Sequence, residues 1–343
     1  MRSMIFSTTA LALLGFGTLA RAADAVVIAE PEPVEYVRVC DVFGAGFFYI
    51  PGTETCLQIS GEVFYQIGTD DVVDGWVKTT RARVNFDARS ETEWGALRAY
   101  IRLNAEWGDP ADGAVEMDQA IIELGGLRMG YTESAWVEAQ VGEISAGGSH
   151  SDSGLSYGDQ QHHLIAYSFQ AGNGFFGTLS LEDDTLDGEG YVPDVVGVIG
   201  LERPFGGVWA KAAYDESASE WAATAGLQLN VPNMTDSSLR LLGFYSSGPN
   251  AYEVTPYFTG LAGAEWSVLG SFYHQFTPTL GASVGAQYFS DVGYISGIDA
   301  WQAEASAVWV PVENFEVRGE VFHGKTEGED ASTGGFLRFT RFF

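Results

Sequence analysis

Residues 76–107 read WVKTTRARVNFDARSETEWGALRAYIRLNAEW, and their alternation decides the fold class. With a period of two, Ala82, Val84, Phe86 and Ala88 share one face, and Thr79, Arg81, Arg83, Asn85, Asp87 and Arg89 share the other. The second half repeats the pattern. Leu97, Ala99, Ile101, Leu103 and Ala105 oppose Arg98, Tyr100, Arg102, Asn104 and Glu106. Two amphipathic strands follow, but a soluble sheet would show the same alternation, so the environment has to be read from the rest of the chain.

Arg2 precedes an apolar run from about Ile5 to Leu19, and Ala20 and Ala22 form an A-x-A site, which predicts a cleaved secretory signal over residues 1–22. Removing Arg2 and Arg21 makes the mature chain more negative than the formal −29 of the full sequence by a further two charges. Nucleic acid is excluded as a natural partner by that charge. No later run approaches the roughly 20 apolar residues of a membrane-spanning helix. Yet 46% of residues are hydrophobic and 43 are glycine, a composition that with alternating segments suggests a membrane β-barrel.

Residues 23–55 read as a proline-punctuated lead-in (AEPEPVEY) followed by a cap at the start of the barrel, and residues 56–343 as the barrel itself. Cys40 and Cys56 are the only cysteines, and an exported chain meets an oxidising compartment, so a disulfide is predicted. Two inert thiols are the alternative. Strand-like segments recur from Leu57 to the C-terminus, about sixteen in all. Short connections such as Gly125-Gly126, Arg203-Pro204-Phe205 and Thr277-Pro278 alternate with longer acidic ones such as DDTLDGEGY, YDESASE and GKTEGEDAST. That alternation is the pattern of short periplasmic turns and long external loops. Closure is required in lipid, where an open sheet edge leaves backbone groups without partners.

Arg81, Arg83, Arg89, Arg98 and Arg102 crowd into one hairpin. Arginine facing lipid at midplane costs roughly 2–4 kcal/mol, so these side chains are expected to face the lumen. The long segment after Ser134 offers Glu138, Glu143, Asp152 and Asp159 as countercharges; folded inward, it would set a transverse field at a constriction. A plainer alternative is that the arginines neutralise Glu62, Asp87 and Glu106 on adjacent strands. Other signals are weak. His162-His163 point to opposite faces of a strand and make a poor metal site, and Asp183-Asp184 sit in a solvated acidic loop. Trp76, Trp94, Trp107, Trp209, Trp221, Trp266, Trp301 and Trp309 fit interfacial girdles. No catalytic Ser/His/acid spacing, cofactor motif or metal site stands out. Three functions remain: a passive diffusion channel, a channel for sugars or acidic nutrients with Tyr100, Tyr157 and Tyr167 as a track, and a barrel enzyme.

The run VEYVRVCDVFGAGFFYIPGTETCLQISGEVFYQIG, the segment LRMGYTES and the C-terminal GGFLRFTRFF resemble the porins of alphaproteobacteria, of the Brucella and Rhizobium type. The resemblance covers essentially the whole mature chain. It implies an all-β, sixteen-stranded transmembrane barrel, trimeric, set in outer-membrane lipid and lipopolysaccharide, with its third external loop folded into the lumen. It also implies recognition of the terminal Phe343 by the barrel-insertion machinery and passage of small hydrophilic solutes and ions. Arg341 falls at an outward-parity position two before Phe343, and between Arg203 and Arg318 only Lys211 and Arg240 are basic. With the acidic long loops, this scarcity of cations predicts weak cation selectivity.

Overall fold

Alternation with a period of two becomes a wall of strands whose apolar residues point outward and whose polar residues point inward. The computed structural model describes residues 38–69, 75–108, 113–137, 140–141, 144–145, 148–152, 155–183, 191–234 and 236–343. The expected signal peptide, the lead-in up to residue 37, and Asp70, Asp71, Asp74, Glu138, Glu143, Asp184, Asp187 and Glu189 lie outside the described residues.

A short strand β1 (Phe48–Tyr49) precedes the wall, which begins with β2 (Cys56–Thr69), β3 (Val77–Thr92), β4 (Gly95–Trp107), β5 (Val115–Leu124) and β6 (Leu127–Glu133). The connection after β6 carries its own hairpin, β7 (Gln140–Val141) and β8 (Ile144–Ser145). The wall resumes with β9 (Gln161–Gln170), β10 (Phe175–Asp183), β11 (Asp194–Arg203), β12 (Gly206–Asp215) and β13 (Glu220–Asn230). It continues through β14 (Ser238–Ser246), β15 (Ala264–Thr277) and β16 (Leu280–Val292). The last strands are β17 (Ala300–Val312), β18 (Phe315–Thr326) and β19 (Ser332–Phe342). Each pairs antiparallel with the next, β6 pairs with β9, and β19 returns to β2. Apart from β1, the 17-stranded sheet is therefore a closed ring of sixteen.

The seam is tight. Gly61 and Phe343 exchange backbone hydrogen bonds at 2.9 and 3.0 Å, and a Cβ on Gly61 would fall 2.9 Å from the Phe343 ring and 2.1 Å from the Arg83 carbonyl. Only glycine admits that approach. Arg341 does face outward, but at the rim, where its guanidinium donates to the Asn314 carbonyl in the neighbouring turn. A long basic side chain at a barrel end reaches the interface in this way.

Ile59, Val63 and Tyr65 on β2, and Leu97 and Ile101 on β4, are exposed apolar residues, as an outer face needs. Seven of the eight girdle tryptophans are also exposed; Trp209 is the exception, 4% exposed and turned inward. The loop alternation is looser than the sequence suggested. Residues 216–219, read as part of a long loop, form a tight turn in which Asp215 Oδ1 accepts from Ser217 Oγ and the Ala218 amide. Conversely, the connection at 231–237 on the short-turn end is longer than its neighbours.

The cap is a disulfide-closed segment. Cys40 and Cys56 are bonded, and both are buried with Phe47. β1 pairs with the start of β2, Arg89 lies over the Phe47 ring at 5.1 Å, and Gln58 donates to the Ala45 carbonyl. Since Gln58 and Arg89 are lumen-facing, the cap packs against the inside of the wall near the chain's start.

Candidate functional site: the charged lumen

Register places the arginines on facing rungs. Arg81 pairs with Glu106, Arg83 with Asn104, Asn85 with Arg102, Asp87 with Tyr100 and Arg89 with Arg98. All five arginines therefore share the lumen face of one hairpin. Each has a carboxylate. Arg81 meets Glu106 at 2.7 Å, Arg83 meets Glu62 at 3.7 Å, and Asp87 lies between Arg89 (2.7 Å) and Arg98 (2.9 Å). Arg98 also reaches Glu123 at 2.7 Å, and Arg102 reaches Asp118 at 3.3 Å and Glu133 at 3.7 Å. The pairing offered as the plainer alternative is thus present at Glu62, Asp87 and Glu106. It extends to Glu123, which alternation on β5 could have indicated, and to Asp118 and Glu133, which it could not: Asp118 sits in the bulge opposite Arg102 and Leu103, and Glu133 has the outward parity of Leu127 and Met129 at the end of β6.

Tyr100 ties this wall together: its hydroxyl donates to Asn85 Oδ1 at 3.1 Å and accepts from Arg102 Nε at 3.2 Å. The pairs are partly solvated, and such pairs contribute about 0–1 kcal/mol each. Their effect is to hold guanidiniums in place. The row continues across the seam, where Arg338 donates to Gln66 and Arg318 meets Glu316 at 2.9 Å and Glu320 at 3.2 Å.

The 134–160 connection does fold into the barrel, and buried polar side chains hold it by its backbone. Glu182 on β10 accepts from the Ala135 amide at 2.9 Å, and Lys211 on β12 donates to the Trp136 carbonyl at 2.5 Å. Arg240 on β14 donates to the carbonyls of Gly148 and Ser149. Gln287 on β16 both accepts from the Ser156 amide and donates to its carbonyl. His150 bridges Ser271 and Ser238 at 2.7 and 2.8 Å; burial, then Arg240, lowers its pKa to about 4, so it is neutral at pH 7. The two basic residues that broke the acidic middle of the sequence, Lys211 and Arg240, are thus loop clamps.

Apolar packing completes the seating. Trp136, Val137 and Leu155 of this loop and Tyr252 and Val254 of the 247–263 loop are buried against Phe176, Val198, Trp209, Phe244, Leu269 and Phe289 of the wall. A Cβ on Gly226 would fall 2.1 Å from the Trp209 ring, so that glycine is the seat on which the inward tryptophan lies. Strands that are apolar on both faces were the available signal for this covered wall.

Of the four loop carboxylates expected to oppose the arginines, Asp152 and Asp159 are described. Asp152 does not stand across a gap: it pairs with Arg338 at 2.5 Å, and its amide donates to Glu320. Asp159 stays exposed on the loop, where partial desolvation of its carboxyl by the surrounding wall, then the nearby Asp118, raises its pKa above the ordinary range. The tyrosine track does not form, because Tyr167 is 58% exposed on the outer face while Tyr100 belongs to the inner wall. His162 is buried against Glu182, whereas His163 meets the Tyr131 ring at a 55° tilt on the opposite face.

A closed antiparallel ring of sixteen strands, apolar outside, charged inside and with a loop folded into its lumen, defines a transmembrane channel of the outer-membrane barrel class. The chain belongs to the family described as the porin subfamily, whose profile matches residues 24–335. It is 33% identical to porin Omp2b of Brucella suis biovar 1 and 34% identical to porin Omp2b of Brucella neotomae, in each case over 100% of this chain and 99% of the relative. Among solved structures it is similar to the outer-membrane channel DcaP of Acinetobacter baumannii (TM-score 0.67, 15% identity, 86% of this chain and 99% of that one). The anion-selective porin from Comamonas acidovorans is also similar (TM-score 0.60, 12% identity, 84% of this chain and all of that one). The protein is an outer-membrane porin channel of a Gram-negative bacterium, crossing the membrane many times.

Proposed function

We propose that the protein is a water-filled pore for passive diffusion of small hydrophilic solutes and ions, with weak cation selectivity. The observation that carries this reading is the matched charge of the lumen. Every arginine of the hairpin has a carboxylate partner, while Asp159 stays exposed on the inserted loop. The wall then supplies a field across the pore with little net positive charge, and the formal −29 of the chain attracts cations to the mouth. In this reading Arg81, Arg83, Arg89, Arg98 and Arg102 form one side of the constriction and Asp159 of the inserted loop contributes the opposing acidic charge, while Asp152 is taken up by Arg338. A reversal potential in a potassium chloride gradient at low ionic strength tests the selectivity: a cation-favouring potential is expected, and an anion-favouring one overturns it.

The exposed apolar strand faces favour assembly as a homotrimer, and a similar barrel, OmpT of Vibrio cholerae, is described in a trimer form (TM-score 0.58, 10% identity). Cross-linking in mild detergent should trap the trimer, and monomer alone would remove it. Outer faces that miss a neighbouring protomer meet lipid and lipopolysaccharide. The Phe343 end, exposed at the seam, is the segment presented to the insertion machinery after a signal over residues 1–22 is removed.

A further inference from the structure

Near the external mouth the lumen wall changes from charge to aromatic rings. Phe322 on β18 and Phe336 on β19 take inward register positions opposite Gly334 and Glu320. From the 247–263 loop, Tyr257 meets Phe322 edge-on at 5.6 Å and Phe258 at 5.0 Å. These rings have prepared seats. A Cβ on Gly334 would lie 2.4 Å from the Phe322 ring, and one on Gly324 would lie 2.6 Å from the Phe258 ring. Seated on these glycines, Phe258 and Phe322 pack on each other at 5.5 Å and 31° and form a fixed backing for Tyr257. Tyr257 itself remains 58% exposed, with its amide held by Gln302.

Polar groups adjoin the rings. Arg338 lies over Phe336 at 4.7 Å, donates from Nε to Gln66 Oε1 at 2.7 Å and pairs with Asp152. Gln66, Asp152, Tyr257, Phe322, Phe336 and Arg338 line one cavity. On the far side of Arg338, the Phe64 ring is contacted at 4.7 Å by Arg338 and at 4.9 Å by Arg81, which links the cavity to the arginine hairpin.

We infer that this cavity is a saccharide-binding subsite at the entrance of the pore, selecting neutral pyranosides. A pyranose has an apolar C–H face that suits an aromatic ring and a hydroxyl rim that suits an amide, a guanidinium and a carboxylate set side by side. The guanidinium is already neutralised by Asp152, so the site has no surplus positive charge for an anion. Glu320 beside it and the acidic chain as a whole repel anions further. The rings are not part of the packed half of the lumen, whose core contains none of Tyr257, Phe258, Phe322 or Phe336. This assignment rests on the reading of the lumen as an open diffusion path.

The test is ion current through the full-length porin in a planar bilayer, with maltotriose added on the external side. A saturable reduction of current is expected for the unaltered protein. Tyr257→Ala and, separately, Phe322→Leu should each raise the half-saturating concentration by about tenfold, with block measured as a fraction of that variant's own sugar-free current. A reduction that grows linearly with sugar, or a half-saturating concentration in both variants equal to that of the unaltered protein, overturns the subsite. Tighter block by gluconate than by maltotriose overturns its neutral selectivity. Absence of any ion conductance in the unaltered protein would instead fail the diffusion-channel reading on which the subsite rests.

Discussion

The two halves of the lumen use the same inward register positions for opposite ends. On β2 to β5 those positions carry arginines and carboxylates paired across rungs and, apart from the buried Asp87, partly open to water. On β10 to β16 they carry Phe176, Trp209, Phe244, Leu269 and Phe289, sealed beneath inserted loops and interrupted by Lys211, Glu182 and Arg240. A buried charge without partners is costly, and each of these three gives at least one hydrogen bond to loop backbone, Glu182 and Arg240 also holding His162 and Gln228 of the wall. What distinguishes the halves is therefore coverage. Charge left open to water sets the field in the pore; charge covered by a loop fixes the loop.

The comparison is most exposed to removal of a clamp. Lys211→Met should leave the carbonyls of Trp136 and Val137 without their shared donor, at about 1–3 kcal/mol each for buried groups. The inserted loop should then fluctuate, seen as a large rise in open-channel noise and mean conductance in bilayer recordings. An unchanged trace would mean that apolar packing alone seats the loop.

On the open half, replacing Arg81, Arg83 and Arg98 together with Ala frees Glu106 and Glu62 and leaves Glu123 with Arg128 as its remaining cation. Cation preference should rise severalfold, with a modest gain in conductance. The mouth's share of the preference should shrink as the Debye length falls from about 10 Å at 0.1 M to about 3 Å at 1 M salt. Heat resistance of the assembled barrel should change little, because partly solvated pairs contribute little stability. A large loss of heat resistance would show that the two halves are less distinct than the coverage argument requires.

Smaller effects are expected at the cap. Reducing Cys40–Cys56 releases a short loop, a difference of order 3 kcal/mol through the unfolded chain, before the first full strand of the ring. Mass spectrometry should find the bond in protein taken from membranes, and proteolysis after reduction should cut within residues 41–55 while strands β2 to β19 remain protected.

The smallest effect concerns Asp159. Its pKa is raised, so it takes up a proton at a higher pH than an ordinary carboxyl as the solution is acidified. Cation selectivity should begin to fall at that higher pH, and Asp159→Asn should delay the onset to lower pH. Profiles that superimpose would place Asp159 away from the conducting path.

Alternation alone made the arginine hairpin legible, because a lumen-facing strand displays its polar set at every second position whatever its neighbours do. The register then delivered pairs such as Arg81 with Glu106 that no spacing within one strand could assign. Trp209 shows the limit. In sequence it matched a girdle residue, yet it is buried over Gly226 beneath an inserted loop, and a period of two says only which face a residue takes, not what covers that face. Asp152, expected opposite the arginine hairpin, instead pairs with Arg338, a partner 186 positions away.

Composition, the acidic balance, the paired cysteines and the two-residue period by themselves determined a membrane barrel with a charged lumen, since each is a local property that survives in any register. Tertiary structure alone decided which charges are neutralised, which wall is covered and where the aromatic mouth lies. Those outcomes depend on closure of β19 against β2 and on the course of one loop across the lumen, and both are set by contacts between residues far apart in the chain.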